Sequence, residues 1–105
     1  MLELNKIYNM DCMEGMKLLD DDSIDLTVTS PPYDNLRTYD NDIDKTWGEH
    51  IWKPVIEELY RITKVGGIVV WVVADATING SETGTSFRQA LYFKEVGFNL
   101  HDTMI

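Results

Sequence analysis

Apolar and polar positions alternate along the chain between strand-like and helix-like periods, the pattern expected of parallel βαβ units. Leu4 to Met10 reads as a short first strand. Asp11 stands three residues before Glu14, an N-cap and capping-box pair for a helix over about Cys12 to Leu19. The run Asp20-Asp21-Asp22-Ser23 reads as a solvated turn, because adjacent carboxylates repel one another. Ile24 to Thr29 is aliphatic and β-branched, as a strand buried on both faces requires. It stops at Ser30-Pro31-Pro32-Tyr33, where consecutive prolines remove backbone donors and end sheet pairing.

Asp34 to Trp47 is polar, acidic and aperiodic, and reads as a long loop of the kind that often carries function. Ile51, Trp52, Val55, Ile56, Leu59, Tyr60 and Ile62 then predict an amphipathic helix, with Pro54 tolerated in its first turn and Gly66-Gly67 as its terminator. Ile68 to Val73 reads as a central strand. Ala74 to Gly84 is expected to be a glycine-containing loop, and Ser86 to Glu95 a helix ending at Gly97. Phe98 to Ile105 reads as a last strand whose exposed edge would favour self-association. No internal repeat or low-complexity tract is found.

Composition bounds these elements to one α/β domain: 105 residues, 44% hydrophobic and 26% charged. A domain of this size buries about two-thirds of its unfolded surface, so a sandwich of sheet and helices is feasible without a generous margin. The formal charge of −9 argues against a free-standing basic clamp on nucleic acid. The one cysteine, Cys12, excludes an internal disulfide and a multi-cysteine zinc site. No apolar run approaches the roughly 20 residues that span a bilayer, and the start of the chain lacks a basic region followed by an apolar stretch. A cytoplasmic protein with no membrane partner is expected.

Ligands of open parallel sheets bind beyond the carboxyl ends of the strands. Asp11, Ser30 to Tyr33 and Asp75 fall there in the predicted order. Asp11 also fits a plain helix cap, and Asp75 a plain turn residue. The proline pair with its aromatic is harder to read as mere punctuation. A hydroxyl and a backbone carbonyl can both accept hydrogens from an exocyclic base amine, favouring a pyramidal nitrogen. Proline fixes the carbonyl's direction, and a tyrosine face can stack an extruded base.

Thr29-Ser30-Pro31-Pro32-Tyr33, following Ile24-Asp25-Leu26-Thr27-Val28, resembles the catalytic signature of S-adenosylmethionine-dependent DNA amino-methyltransferases of the cytosine-N4/adenine-N6 group. Ile7 to Met16, Trp47-Gly48-Glu49 and Gly66 to Trp71 extend the resemblance, in the order of the permuted class whose catalytic motif precedes its cofactor motif.

The resemblance implies a partial Rossmann-like methyltransferase fold, mostly parallel sheet flanked by helices, with residues 1–105 as its N-terminal, catalytic-motif portion, apparently truncated. It implies catalytic roles for Ser30, Pro31, Pro32 and Tyr33, and cofactor-side positions for Asp11 and Asp75. S-adenosyl-L-methionine would be the methyl donor, double-stranded DNA the substrate, and restriction-modification the setting. Ser30 tilts the target toward cytosine N4, since adenine-N6 enzymes usually have Asp there. It also speaks against the protein-amide methyltransferases, whose related signature usually begins with Asn. Cys12 follows Asp11 rather than a proline, which disfavours the cytosine-C5 class.

The family's F-x-G-x-G cofactor signature and a basic recognition region are both missing from these residues. DNA would therefore be held through regions outside this chain, which alone is expected to be inactive. The competing reading is a non-enzymatic remnant, or a split subunit whose partner chain supplies the cofactor site. His50 and His101 lack ligand partners at metal spacing, and Asp34, Asp40, Asp42 and Asp44 lack the glycine and terminal glutamate of a calcium loop, so no metal is assigned. Trp47 and Trp52 read as core anchors.

Overall fold

The computed structural model describes residues 2–31, 48–75 and 77–101. The expected loop from Asp34 to Trp47, together with Pro32 and Tyr33, lies outside them.

Helix α1 (Cys12–Lys17) begins where the sequence places it. The Asp11 carboxylate accepts from the backbone N–H of Met13 at 3.1 Å and of Glu14 at 3.3 Å, satisfying two donors that a helix start leaves open. The segment before it corrects an expectation: Leu4 to Met10 is not a strand. Leu4 is 90% exposed and Ile7 fully exposed, and among the described residues no strand pairs with them. A strand needs a neighbour for its backbone groups, and here the chain closes on itself instead, with Glu3 N–H donating to the Tyr8 hydroxyl at 2.8 Å.

Strand β1 (Ile24–Thr29) pairs in parallel with β2 (Thr63–Trp71), setting Thr27 opposite Val69 and Thr29 opposite Trp71. Between them runs α2 (Glu49–Ile62), whose Trp52, Val55, Ile56, Leu59 and Ile62 form the buried seam of the core. Met16 of α1 and Phe93 of α3 (Thr85–Val96) complete that cluster. Val69 and Trp71 pack on it from the sheet. Among the described residues the opposite face of the sheet is largely uncovered: Leu26, Val28 and Ile68 are 58%, 65% and 59% exposed. On the helix side Ile24, Thr27 and Thr29 are half-buried, so among the described residues the expectation that β1 is buried on both faces is not met: one face is half-covered and the other exposed.

The Gly66-Gly67 pair does not end α2, as the sequence reading had it. The helix stops at Ile62, where the Thr63 hydroxyl donates back to the Leu59 carbonyl and the backbone turns directly into β2. The glycines lie inside β2, at the irregularity where the register jumps from Ile24 opposite Thr63 to Leu26 opposite Ile68. A Cβ on Gly67 would stand 2.9 Å from the Lys64 carbonyl oxygen and 3.1 Å from that of Asp25, so the backbones approach too closely for a side chain. The ladder ends at Trp71, two residues before the expected Val73, although Val72 N–H still reaches the Thr29 carbonyl at 2.9 Å.

The Ala74 to Gly84 loop contains a small hairpin, β3 (Thr77–Ile78) and β4 (Ser81–Glu82), turning on Asn79-Gly80, both at positive φ. Asn-Gly is the preferred pair for such a two-residue turn, a signal present in the sequence. Phe98 to His101 is not a strand. Phe98 folds back instead, its ring meeting Tyr60 and Phe93 edge-on at 5.2 and 5.4 Å. Residues 102–105 of the expected strand lie outside the described ones. The described residues form an α/β arrangement, a two-stranded parallel sheet with three helices and the small β3–β4 hairpin, and none of these helices is long and apolar enough to cross a membrane.

Arg61, near the end of α2, ties the acidic turn to this frame. It pairs with Asp21 at 2.7 Å and with Glu58, and donates to the carbonyls of Met16 at 2.7 Å and Leu19 at 3.0 Å. The guanidinium thus closes the C-terminus of α1 while meeting a carboxylate of the Asp20 to Asp22 run.

Candidate active site

Ser30 and Pro31 leave the sheet at the carboxyl end of β1, beside the carboxyl end of β2. Ser30 is exposed and Pro31 buried. Pro31 is the second residue after the last ladder pair, Thr29 with Trp71, and with no N–H to donate it ends the pairing there. Both border a groove of about 470 Å³ that also takes in Cys12, Thr29, Leu59 and Trp71. Its walls are chiefly apolar, and it lies between α1, β1 and α2.

Cys12 joins this groove, although the sequence reading gave it no role. Partial desolvation, then the adjacent Asp11 carboxylate, holds its thiol above the ordinary value. A thiol so placed is a poor thiolate nucleophile, consistent with a site that needs no covalent cysteine step. Trp71 also lines the groove, as does Thr29, the first residue of the Thr29 to Tyr33 stretch. Strand alternation carried the signal, since Thr27 and Thr29 must share a face with Val69 and Trp71 once the register is known.

The two carboxylates named from the sequence do not line this groove. Asp11 caps α1 at its rim, next to Cys12. Asp75 lies beyond β2, where its carboxylate accepts from the Ser86 N–H at 2.7 Å and the Ser86 hydroxyl at 2.9 Å. The N-cap position of α3 is Gly84, which has no side chain to offer, and Asp75 supplies the missing acceptor from outside the helix. Asp11 and Asp75 thus serve different helix starts, and the structure does not bring them together around one ligand. Among the described residues the groove is chiefly apolar, and Asp11 and Asp75 are each engaged at a helix start.

The described part of the signature now sits at a parallel strand's carboxyl end, and comparison with known proteins decides its kinship. A family model for N6 and N4 enzymes, described as DNA methylase, matches residues 24–105. The chain belongs to this family. The matched stretch contains Ser30 to Tyr33 and Asp75, while Asp11 precedes it. Over 85 residues, or 81% of the chain, it is 64% identical to the orphan methyltransferase M.BamHII of Bacillus amyloliquefaciens. Over 72 residues, or 67% of the chain, it is 42% identical to the Type II methyltransferase M.BglII of Bacillus subtilis. These alignments cover 30% and 19% of those two proteins, so the DNA methylase chain spans less than a third of the relatives' length. No solved structure matches it.

Proposed function

We propose that residues 1–105 are the catalytic-motif portion of a DNA amino-methyltransferase, which moves a methyl group from S-adenosyl-L-methionine to an exocyclic base amine. The observation that carries this reading is the position of Ser30 and Pro31, directly after β1 and at the mouth of a groove, in a chain of the DNA methylase family. The parallel β1–β2 pair with α2 as its crossover supports the Rossmann-like part of this reading.

In this reading the Ser30 hydroxyl and the Pro31 carbonyl accept the hydrogens of the target amine, so that its lone pair is localised on nitrogen. Pro32 holds the turn and Tyr33 stacks the extruded base. Serine rather than aspartate at position 30 favours cytosine N4 over adenine N6. Asp11 and Asp75 take their part by fixing the starts of α1 and α3 on the cofactor side of the sheet. The reading assigns the cofactor's cradle and the basic surface that grips DNA to the part of the relatives' length that this chain does not span.

The test is a chimera in which this chain replaces the matching stretch of the Bacillus amyloliquefaciens relative. DNA methylated by it is digested to nucleosides and analysed by mass spectrometry. N4-methyldeoxycytidine is expected, and N6-methyldeoxyadenosine would overturn the assignment of the base. Ser30→Ala should lower kcat by about 10²-fold, the usual loss on removing one positioned hydrogen-bonding group. An unchanged rate for both Ser30→Ala and Tyr33→Ala would overturn the site.

A further inference from the structure

Asn79 and Gly80 form the two-residue turn of the β3–β4 hairpin, with φ at 52° and 78°. Both are exposed, and the space around Gly80 is open: a Cβ built there would meet nothing within 4 Å. The ladder joins Ile78 to Ser81 and Thr77 to Glu82, so the Gly80 N–H lies outside it and meets no backbone acceptor among the described residues. Once deprotonated, such an amide is a nucleophile, and the electrophile next to it in the chain is the side-chain amide carbon of Asn79. Glycine puts no side chain in the path of that attack. Asn5, Asn9, Asn35, Asn41 and Asn99 precede Lys, Met, Leu, Asp and Leu, and only Asn79 precedes glycine.

We propose that Asn79 is a site of self-modification, at which the turn deamidates through a cyclic imide to isoaspartate and aspartate. Hydroxide takes the Gly80 amide proton, and the nitrogen's electron pair forms a bond to Asn79 Cγ. The Cγ–Nδ2 bond breaks, and Nδ2 takes a proton from water and leaves as ammonia. Water then adds to either imide carbonyl and opens the ring. Addition at Cγ gives aspartate, whereas addition at the main-chain carbonyl gives isoaspartate, whose backbone runs through the former side-chain methylene. Asn79 has to rotate about ψ to bring Cγ to the Gly80 nitrogen, and the hairpin permits it. Thr77, Ile78, Ser81 and Glu82 are all exposed, and a hairpin of two ladder pairs outside the core opens at little cost.

The product does not restore the turn. Isoaspartate lengthens the backbone of a connection that joins its strands with two residues, so the Ile78–Ser81 and Thr77–Glu82 pairs lose their register. Either product adds a carboxylate to a hairpin that already carries Glu82, in a chain of net charge −9. The start of α3 stays fastened, because Asp75 and Ser86 lie outside the hairpin.

The experiment incubates the 105-residue chain in mildly alkaline buffer and maps samples by proteolysis and mass spectrometry. A gain of about 1 Da is expected in the peptide carrying Asn79, at least about tenfold faster than at Asn99, with part of the product resisting a protease that cuts at aspartate and not at isoaspartate. The rate should rise with pH, since the attacking nitrogen is the deprotonated amide. The folded chain should react within about tenfold of the chain in denaturant, because the hairpin opens readily. Asn79→Gly keeps a residue suited to positive φ, holds the hairpin and should abolish the gain. An unmodified Asn79, equal rates at Asn79 and Asn99, a folded rate further below that in denaturant, or a mass gain undiminished in Asn79→Gly would each overturn the proposal.

Discussion

Asp75 holds Ser86 twice, through the backbone N–H at 2.7 Å and the hydroxyl at 2.9 Å, and so fastens the loop after β2 to the start of α3. Gly84, at the N-cap, has a left-handed φ of 76° and no acceptor of its own. Replacing Asp75 by Ala should cost about 1–2 kcal/mol, the range for losing a helix cap, with Asp75→Asn closer to the parent. Thermal denaturation of the two variants measures the difference.

A second polar contact crosses from sheet to helix inside the core. Trp71 Nε1 donates to Gln89 Oε1 at 3.0 Å, and Gln89 is 1% exposed. Trp71→Phe would strand the buried amide oxygen and should destabilise the fold by about 1–3 kcal/mol. Adding Gln89→Leu to that variant should recover part of the loss, because an apolar pair needs no partner. Denaturant titration of the single and double variants gives the coupling.

Tyr92 is expected to ionise well above the ordinary range of a tyrosine. Its hydroxyl donates to Glu57 at 2.7 Å, and that hydrogen bond, followed by desolvation and the Glu57 and Glu95 charges, pushes its pKa from 10.0 up to about 12. A raised value in the folded state means that the native protein keeps this proton longer than the unfolded chain does. The stability contributed is full below pH 10 and is lost as pH rises from there to about 12. Absorbance at the tyrosinate band should show a late-titrating component that disappears in Tyr92→Phe.

Gly97 ends α3 with φ at 131°, and a Cβ there would come within 2.6 Å of the Tyr60 ring. Gly97→Ala combines an unfavourable backbone with that overlap and should cost about 1 kcal/mol or more. Pairing it with Tyr60→Ala should relieve the overlap and leave the backbone part. Melting temperatures of the single and double variants separate the two contributions.

The long-period elements were legible in the sequence. The spacing of Trp52, Val55, Ile56, Leu59 and Ile62 marks the buried side of α2, and Asp11 before Glu14 marks the start of α1. The strands were legible only as apolar runs. Leu4 to Met10 reads as a strand but has no neighbour to pair with among the described residues, and Phe98 turns into the Tyr60–Phe93 aromatic cluster rather than along a sheet. Gly66-Gly67 reads in one dimension as a helix stop, while in three it permits the close approach of β2 to the Asp25 carbonyl.

For the candidate site the division is similar. Ser30-Pro31-Pro32-Tyr33 was found from residue types alone, because two prolines and an aromatic at a strand's tip are a chemical pattern as well as a stop. The use of Asp75 as a remote cap, and the entry of Cys12, Thr29 and Trp71 into one groove, could not be read that way.

By itself the sequence determined the periods, the helix caps, the negative charge and the signature that ties the chain to the DNA methylases, since these depend on residue type and local spacing. Tertiary structure alone decided that Asp75 caps α3 from outside the helix and, among the described residues, which face of β1 turns toward the helices. Those outcomes depend on contacts between residues far apart in sequence, such as Thr29 with Val72 and Trp71 with Gln89. No local period encodes them.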